Sequence, residues 1–163
     1  SMLSAAGADL VMGQTMTHAG EAIGIARAAA KAGMPAVVSF TVETDGRLPD
    51  GTRLDETIAL VEAATASSPA HYLVNCAHPS HVAPALSVPG AWIGRLGGIR
   101  ANPSPKSHAE LNESTTLEDG DPDELAALLR DMRRQHGHFC VMGGCCGSDH
   151  RHAEKIGLAC MSI

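Results

Sequence analysis

Gly143-Gly144-Cys145-Cys146-Gly147 places two adjacent thiols on a glycine turn, at the end of an apolar run and the start of a helical pattern. Neighbouring cysteines do not readily pair with each other, but they can hold a soft metal. Cys76, in Val74-Asn75-Cys76-Ala77-His78-Pro79, stands at the end of another apolar run. Three thiolates with no obvious fourth protein ligand describe a zinc site with an open position, the form zinc takes where chemistry is done. Coordination deprotonates a thiol whose ordinary pKa is about 8.5. Gly143, Gly144 and Gly147 let the backbone turn tightly enough for neighbouring side chains to face one ion. The positive end of a helix beginning just after Cys146 favours thiolates. Paired cysteines alone read as small buried hydrophobes or reduced thiols; Cys76 and the glycine frame turn the reading toward zinc. Cys140, within a strand, and Cys160, late in a helix, read as packing residues.

These thiols must be carried by something, and the pattern alternates short apolar runs with longer helical stretches. Residues 9–13, 36–41, 72–75, 92–100 and 139–142 read as strands. Residues 19–32 and 54–66 read as helices, the first stopped by Gly33 and Pro35. A short helix begins near Pro79. Asp121 caps a helix running to about Gln135, with acids in its first turn. Ser148 or Asp149 caps a last one through Ala159. Residues 43–53 form a polar loop with Asp-Gly and Pro-Asp-Gly turn signals. Residues 102–119 make a polar segment longer than a routine connection. Strand and helix alternating five times imply parallel strands with right-handed crossovers in one domain. In such folds sites gather at the carboxyl ends of strands. Both cysteine motifs fall there, as do Gln14, Glu43 and Asn102.

Several function classes are excluded at this stage. The chain has 163 residues, a net charge of −6, one Trp, one Tyr and two Phe. Few rings and an acidic balance speak against nucleic acid, which needs stacking and a positive surface. No apolar stretch approaches the ~20 residues that span a bilayer, and no secretory signal is visible. Five cysteines, two of them adjacent, do not form a disulfide framework, which points to a reducing cytoplasm. Ser1 before Met2 reads as the scar of a removed tag. His78, His150 and His152 lie near the cysteines and read as exposed or capping groups. His18, His71, His81, His108, His136 and His138 show no ligand spacing. Glu43 and Asp45 read as a solvated turn.

Asn75-Cys76 followed by Pro79, and Gly143 to Gly147 followed by Asp149-His150-Arg151-His152, resemble the homocysteine S-methyltransferase family. Val38-Ser39-Phe40-Thr41 and Leu48-Pro49-Asp50-Gly51 are similar to it as well. The resemblance implies a (β/α)8 TIM barrel that holds Zn2+ with Cys76, Cys145 and Cys146 and makes methionine, the zinc-bound homocysteine thiolate acting as nucleophile. It covers the later part of the barrel, about five β/α units resembling strands four to eight, with the first three absent. It implies Gln14, Asn75 and Asn102 as substrate contacts, Gln14 standing where the family carries a glutamate for the substrate ammonium. It implies a methyl donor such as S-methylmethionine or S-adenosylmethionine, with betaine and folate or corrinoid donors also used in the family. The alternative is a catalytically incomplete zinc- or thiol-binding partial barrel. In either case the exposed sheet edges imply self-association into a homo-oligomer or a complementing fragment.

Overall fold

A computed structural model describes residues 2–161. Its five strands are β1 (Val11–Met16), β2 (Ala36–Phe40), β3 (Pro69–Asn75), β4 (Leu96–Ala101) and β5 (Val141–Gly144). All neighbours are parallel and the sheet order is the chain order, β1-β2-β3-β4-β5. That is the arrangement of a partial barrel, with β1 and β5 as open edges. Seven helices accompany it: α1 (Met2–Ala5), α2 (Ala19–Lys31), α3 (Leu54–Thr65), α4 (Pro79–Leu86), α5 (His108–Glu113), α6 (Pro122–Gln135) and α7 (His150–Met161). Among the described residues no helix is long and apolar enough to cross a membrane.

The helix boundaries follow local chemistry. Asp121 accepts from the backbone N–H groups of Asp123 and Glu124 and opens α6, with Pro122 in its first turn. α3 ends where Ala66 turns left-handed at φ 50°. One face of the sheet carries Val38, Phe40, Tyr72, Val74, Ile99 and Ala101, all buried with Ile58 and Val61 of α3 and Leu125 and Leu129 of α6. Val37, Ser39, Leu73 and Asn75 alternate with them on the opposite, inner face. Tyr72 carries a polar tip into this core: its hydroxyl donates to Glu62 at 2.7 Å, and Arg95 donates to the same carboxylate oxygen at 3.1 Å.

Four expected strands change their bounds appreciably, among them β3, which begins at Pro69 and not at Tyr72. β1 runs on through Gln14 and Thr15 to Met16, because pairing with Phe40 continues past the point where the apolar run ends. The fourth strand begins only at Leu96; Trp92 lies in a 3-10 turn, Ala91–Arg95. β5 lies two residues later than the apolar run suggests, since backbone pairing of Gly143 and Gly144 to Arg100 and Ala101 needs no side chain. The long polar segment contains α5, closed by a capping box between Ser107 and Glu110. That S-x-x-E spacing is legible in the sequence. Cys140 is exposed and precedes β5, so it is not a packing residue; Cys160 does pack against the core.

Gly98 is where the β4–β5 pairing is most confined. Its φ is +147°, and a Cβ there would collide with the Val141 carbonyl. Gly98→Ala should cost more than about 3 kcal/mol of unfolding free energy, through strain and loss of β5 pairing. Urea titration checks this; an unchanged midpoint would mean that β5 is not held at this point.

Candidate active site at the strand ends

The register of the sheet decides which residues meet. Asn75 at the end of β3 pairs with Arg100 of β4, and Arg100 with Gly143 of β5. Cys76 and Cys145 therefore leave their strands at nearby levels. The Sγ atoms of Cys76, Cys145 and Cys146 all lie within 4.8 Å of one another. Cys76 Sγ is 2.8 Å from Cys145 Sγ and 3.6 Å from Cys146 Sγ. The hydrogen bond from the Cys76 thiol, helped by the Cys146 backbone N–H and the Asn75 amide, holds Cys145 down at about 5 against the effect of burial. The same hydrogen bond to Cys145, together with burial, pushes the Cys76 thiol up.

Asn75 organises the cluster from beneath. It is 1 % exposed, so each of its polar atoms needs a partner. Its Oδ1 accepts from the Thr15 N–H at 3.0 Å and the Ser39 hydroxyl at 2.5 Å. Its Nδ2 donates to Thr15 Oγ1 at 2.8 Å and toward Cys145 Sγ at 3.9 Å. One amide joins β1, β2, β3 and the cysteine turn. Thr15 sits at φ 58° and Cys76 at φ 56°, left-handed conformations that non-glycine residues hold at a cost of about 1–3 kcal/mol each. The Asn75 bonds fix the first. The Cys76 backbone is fixed through its N–H to Arg100 O at 3.1 Å and through its carbonyl, which accepts from Asn102 Nδ2 at 3.1 Å. Asn102 Oδ1 is buried without a partner among the described residues.

His108 completes the hold on Cys76, although no spacing singles it out in the sequence. It is the first residue of α5, placed by the capping box. Its Nε2 lies 2.7 Å from the Cys76 carbonyl and its Nδ1 3.1 Å from Glu43 Oε1. Carbonyl and carboxylate only accept, so the protonated ring, with two N–H donors, is the form that satisfies both contacts. Burial opposes charging, but these two contacts outweigh it and raise the His108 pKa above the ordinary histidine value. Glu43 is therefore part of the site's surround and not a free solvated turn.

The cysteine turn has its own clamp. Gly147 is left-handed at φ +83°, and a Cβ there would run into the Glu118 carbonyl and the Pro103 ring. His152 is fully buried: Nδ1 accepts from the Asp149 N–H at 3.1 Å, and Nε2 donates to the Asp119 carbonyl at 2.7 Å. Of the two expectations for His152, exposed or capping, the first is overturned by its burial; the ring accepts from the Asp149 N–H just before α7 and ties that helix start to the loop over the turn. His150 is exposed. His78 caps α4, accepting from the Ser80 N–H, and burial with His81 beside it lowers its pKa to about 4. Gln14 lies near the end of β1, where its exposed amide donates to Met12 Sδ at 3.2 Å.

The family model for homocysteine S-methyltransferase matches residues 1–160. No curated protein matches the chain. The family implies zinc, and the donor set fits it. Three thiolates at a Zn–S distance of about 2.3 Å lie about 3.8 Å apart. The Cys76–Cys146 separation is already 3.6 Å, and Cys76 and Cys145 need only open by about 1 Å.

His108 and Glu43 should be felt at Cys76 in the metal-free protein. Diamide treatment should close a Cys76–Cys145 disulfide quickly, because the two sulfurs start 2.8 Å apart. His108→Ala should slow that closure at least about tenfold, while His108→Gln, whose amide can donate to the same carbonyl, should largely restore it. Peptide mapping over time reads the rates; equal rates in wild type and His108→Ala would remove the ring from this role.

Proposed function

We propose that this chain, which belongs to the homocysteine S-methyltransferase family, transfers a methyl group to the sulfur of homocysteine and so makes methionine. Membership supports methyl transfer broadly; the thiol chemistry is carried by one observation, the convergence of three cysteine sulfurs at the ends of β3 and β5.

In this reading Cys76, Cys145 and Cys146 hold Zn2+, which when bound would keep the substrate sulfur deprotonated at neutral pH. The protein's remaining work is positioning. The substrate thiolate attacks the methyl carbon of a sulfonium donor such as S-methylmethionine or S-adenosylmethionine. The new S–C bond forms as the donor's C–S bond breaks, and the donor sulfur leaves with that electron pair as a neutral thioether. No general base is required once the thiol has lost its proton. Asn75 and Asn102 frame the substrate position, and the unpaired Asn102 Oδ1 offers an acceptor for an ammonium hydrogen. Gln14, on the inner face of β1, can accept from the same ammonium but brings no charge. The five cysteines are free, which suits the cytoplasm.

A second reading is favoured by the unpaired outer edges of β1 and β5. It is a zinc-binding partial barrel that works only when a second copy or a complementing fragment covers those edges. Sedimentation should show association at micromolar concentration; a mass falling to that of the monomer would count against it.

The deciding experiment measures zinc per chain and then methionine formed from homocysteine with each sulfonium donor. The expected result is about one zinc per site and turnover. Cys76→Ser, Cys145→Ser and Cys146→Ser should each lower zinc content and abolish turnover. Zinc without turnover on any donor would defeat the enzyme reading, and full zinc in all three variants would defeat the ligand assignment.

A further inference from the structure

Arg100 lies on β4 between Ile99 and Ala101, both buried in the core beneath the helices. Side chains alternate across a strand, so its side chain leaves on the inner face, level with Asn75 on one side and Gly143 on the other. It is half-buried. Among the described residues no carboxylate, carbonyl or hydroxyl pairs with its guanidinium. Every other arginine of the chain has such a partner. Arg53, Arg95, Arg130, Arg134 and Arg151 meet carboxylates. Arg27, Arg47 and Arg133 meet backbone carbonyls. A partly desolvated guanidinium with nothing to donate to is unfavourable unless something binds it. There is also room beside it: a Cβ built at Gly143, its neighbour on β5, would have nothing within 4 Å.

The charges around the cluster are lopsided. The end of β1 presents the neutral Gln14, and Glu43 is engaged by His108. Arg100 thus brings an unpaired positive charge to the inner face beside the thiols. We infer that Arg100 binds the carboxylate of the thiol substrate, so that this site selects thiol acids by their anion more than by their amine. A guanidinium matches a carboxylate through two parallel N–H···O bonds. Asn75, the partner of Arg100 in the ladder, itself reaches Cys145 Sγ at 3.9 Å. A short thiol acid whose sulfur is at the cysteines would direct its carboxylate along the inner face that Arg100 shares with Asn75.

This assignment rests on the thiol methyl-transfer reading, and the test separates the two. Zinc-loaded protein is titrated calorimetrically with homocysteine, with 4-mercaptobutanoate, which lacks the amine, and with 3-aminopropanethiol, which lacks the carboxylate. Wild type should bind the first two comparably and the third about tenfold or more weakly. Arg100→Gln should erase that preference by weakening only the two acids, and Arg100→Lys should keep part of it. If Arg100→Gln does not fold, the wild-type ranking still decides, since equal binding of 3-aminopropanethiol overturns the assignment. Equal weakening of all three thiols in Arg100→Gln would make Arg100 a counter-charge to the thiolates and also overturn it. Binding of no thiol at all by zinc-loaded wild type would overturn the thiol reading together with this one.

Discussion

The buried amide of Asn75 is the constraint on which the rest of the site depends. A fully buried amide must satisfy two acceptor and two donor positions, and here their partners are spread over two neighbouring strands and the cysteine turn. Thr15, Ser39 and Cys145 can reach it only if β1, β2, β3 and β5 keep their levels. A slip of one residue in any strand would turn its side chains to the other face and leave the amide partly unpaired. The polar network under the thiols thus fixes the register that the apolar face alone would hold less strictly.

Above that amide, the thiols are held mainly through the backbone. The Cys76 peptide is gripped at its N–H by β4 and at its carbonyl by Asn102 and His108. The Cys145 N–H is bonded to Ala101 O. The turn beyond is closed by His152 and by glycines with no room for a side chain. The sulfurs themselves meet one another, the Asn75 amide and backbone N–H groups of the turn. This leaves their positions defined and their lone pairs available, the condition a soft cation requires.

The cysteine cluster is legible in the sequence because its residues carry their own punctuation. A pair of cysteines on a glycine turn, and a third after an apolar run, need no tertiary knowledge to be noticed. The alternation of strand and helix was equally readable, and the Asp121 cap marks the start of α6 to within a residue. What stayed hidden was set by distance along the chain. His108 is 32 residues from Cys76 and 65 from Glu43, and no local spacing links them. His152 looked like a helix-start residue because its burial is imposed by the 119 loop. The glycines at the end of β5 have no strand preference of their own, so the strand is visible only from its partner. Arg100 gave no signal either, because the absence of a partner cannot be seen until all the possible partners have positions.

Strand order that follows chain order has a consequence for how the molecule is made. As the polypeptide emerges, each new strand adds to the edge left by the one before it, and no strand must wait for a distant mate. The thiols do not share this convenience. Cys76 is synthesised 69 residues ahead of Cys145, so until β5 docks the Asn75 amide and the first sulfur face an unfinished wall. A metal ion captured by all three sulfurs would therefore arrive only after β5 has docked, and its retention would act as a seal on the assembled sheet.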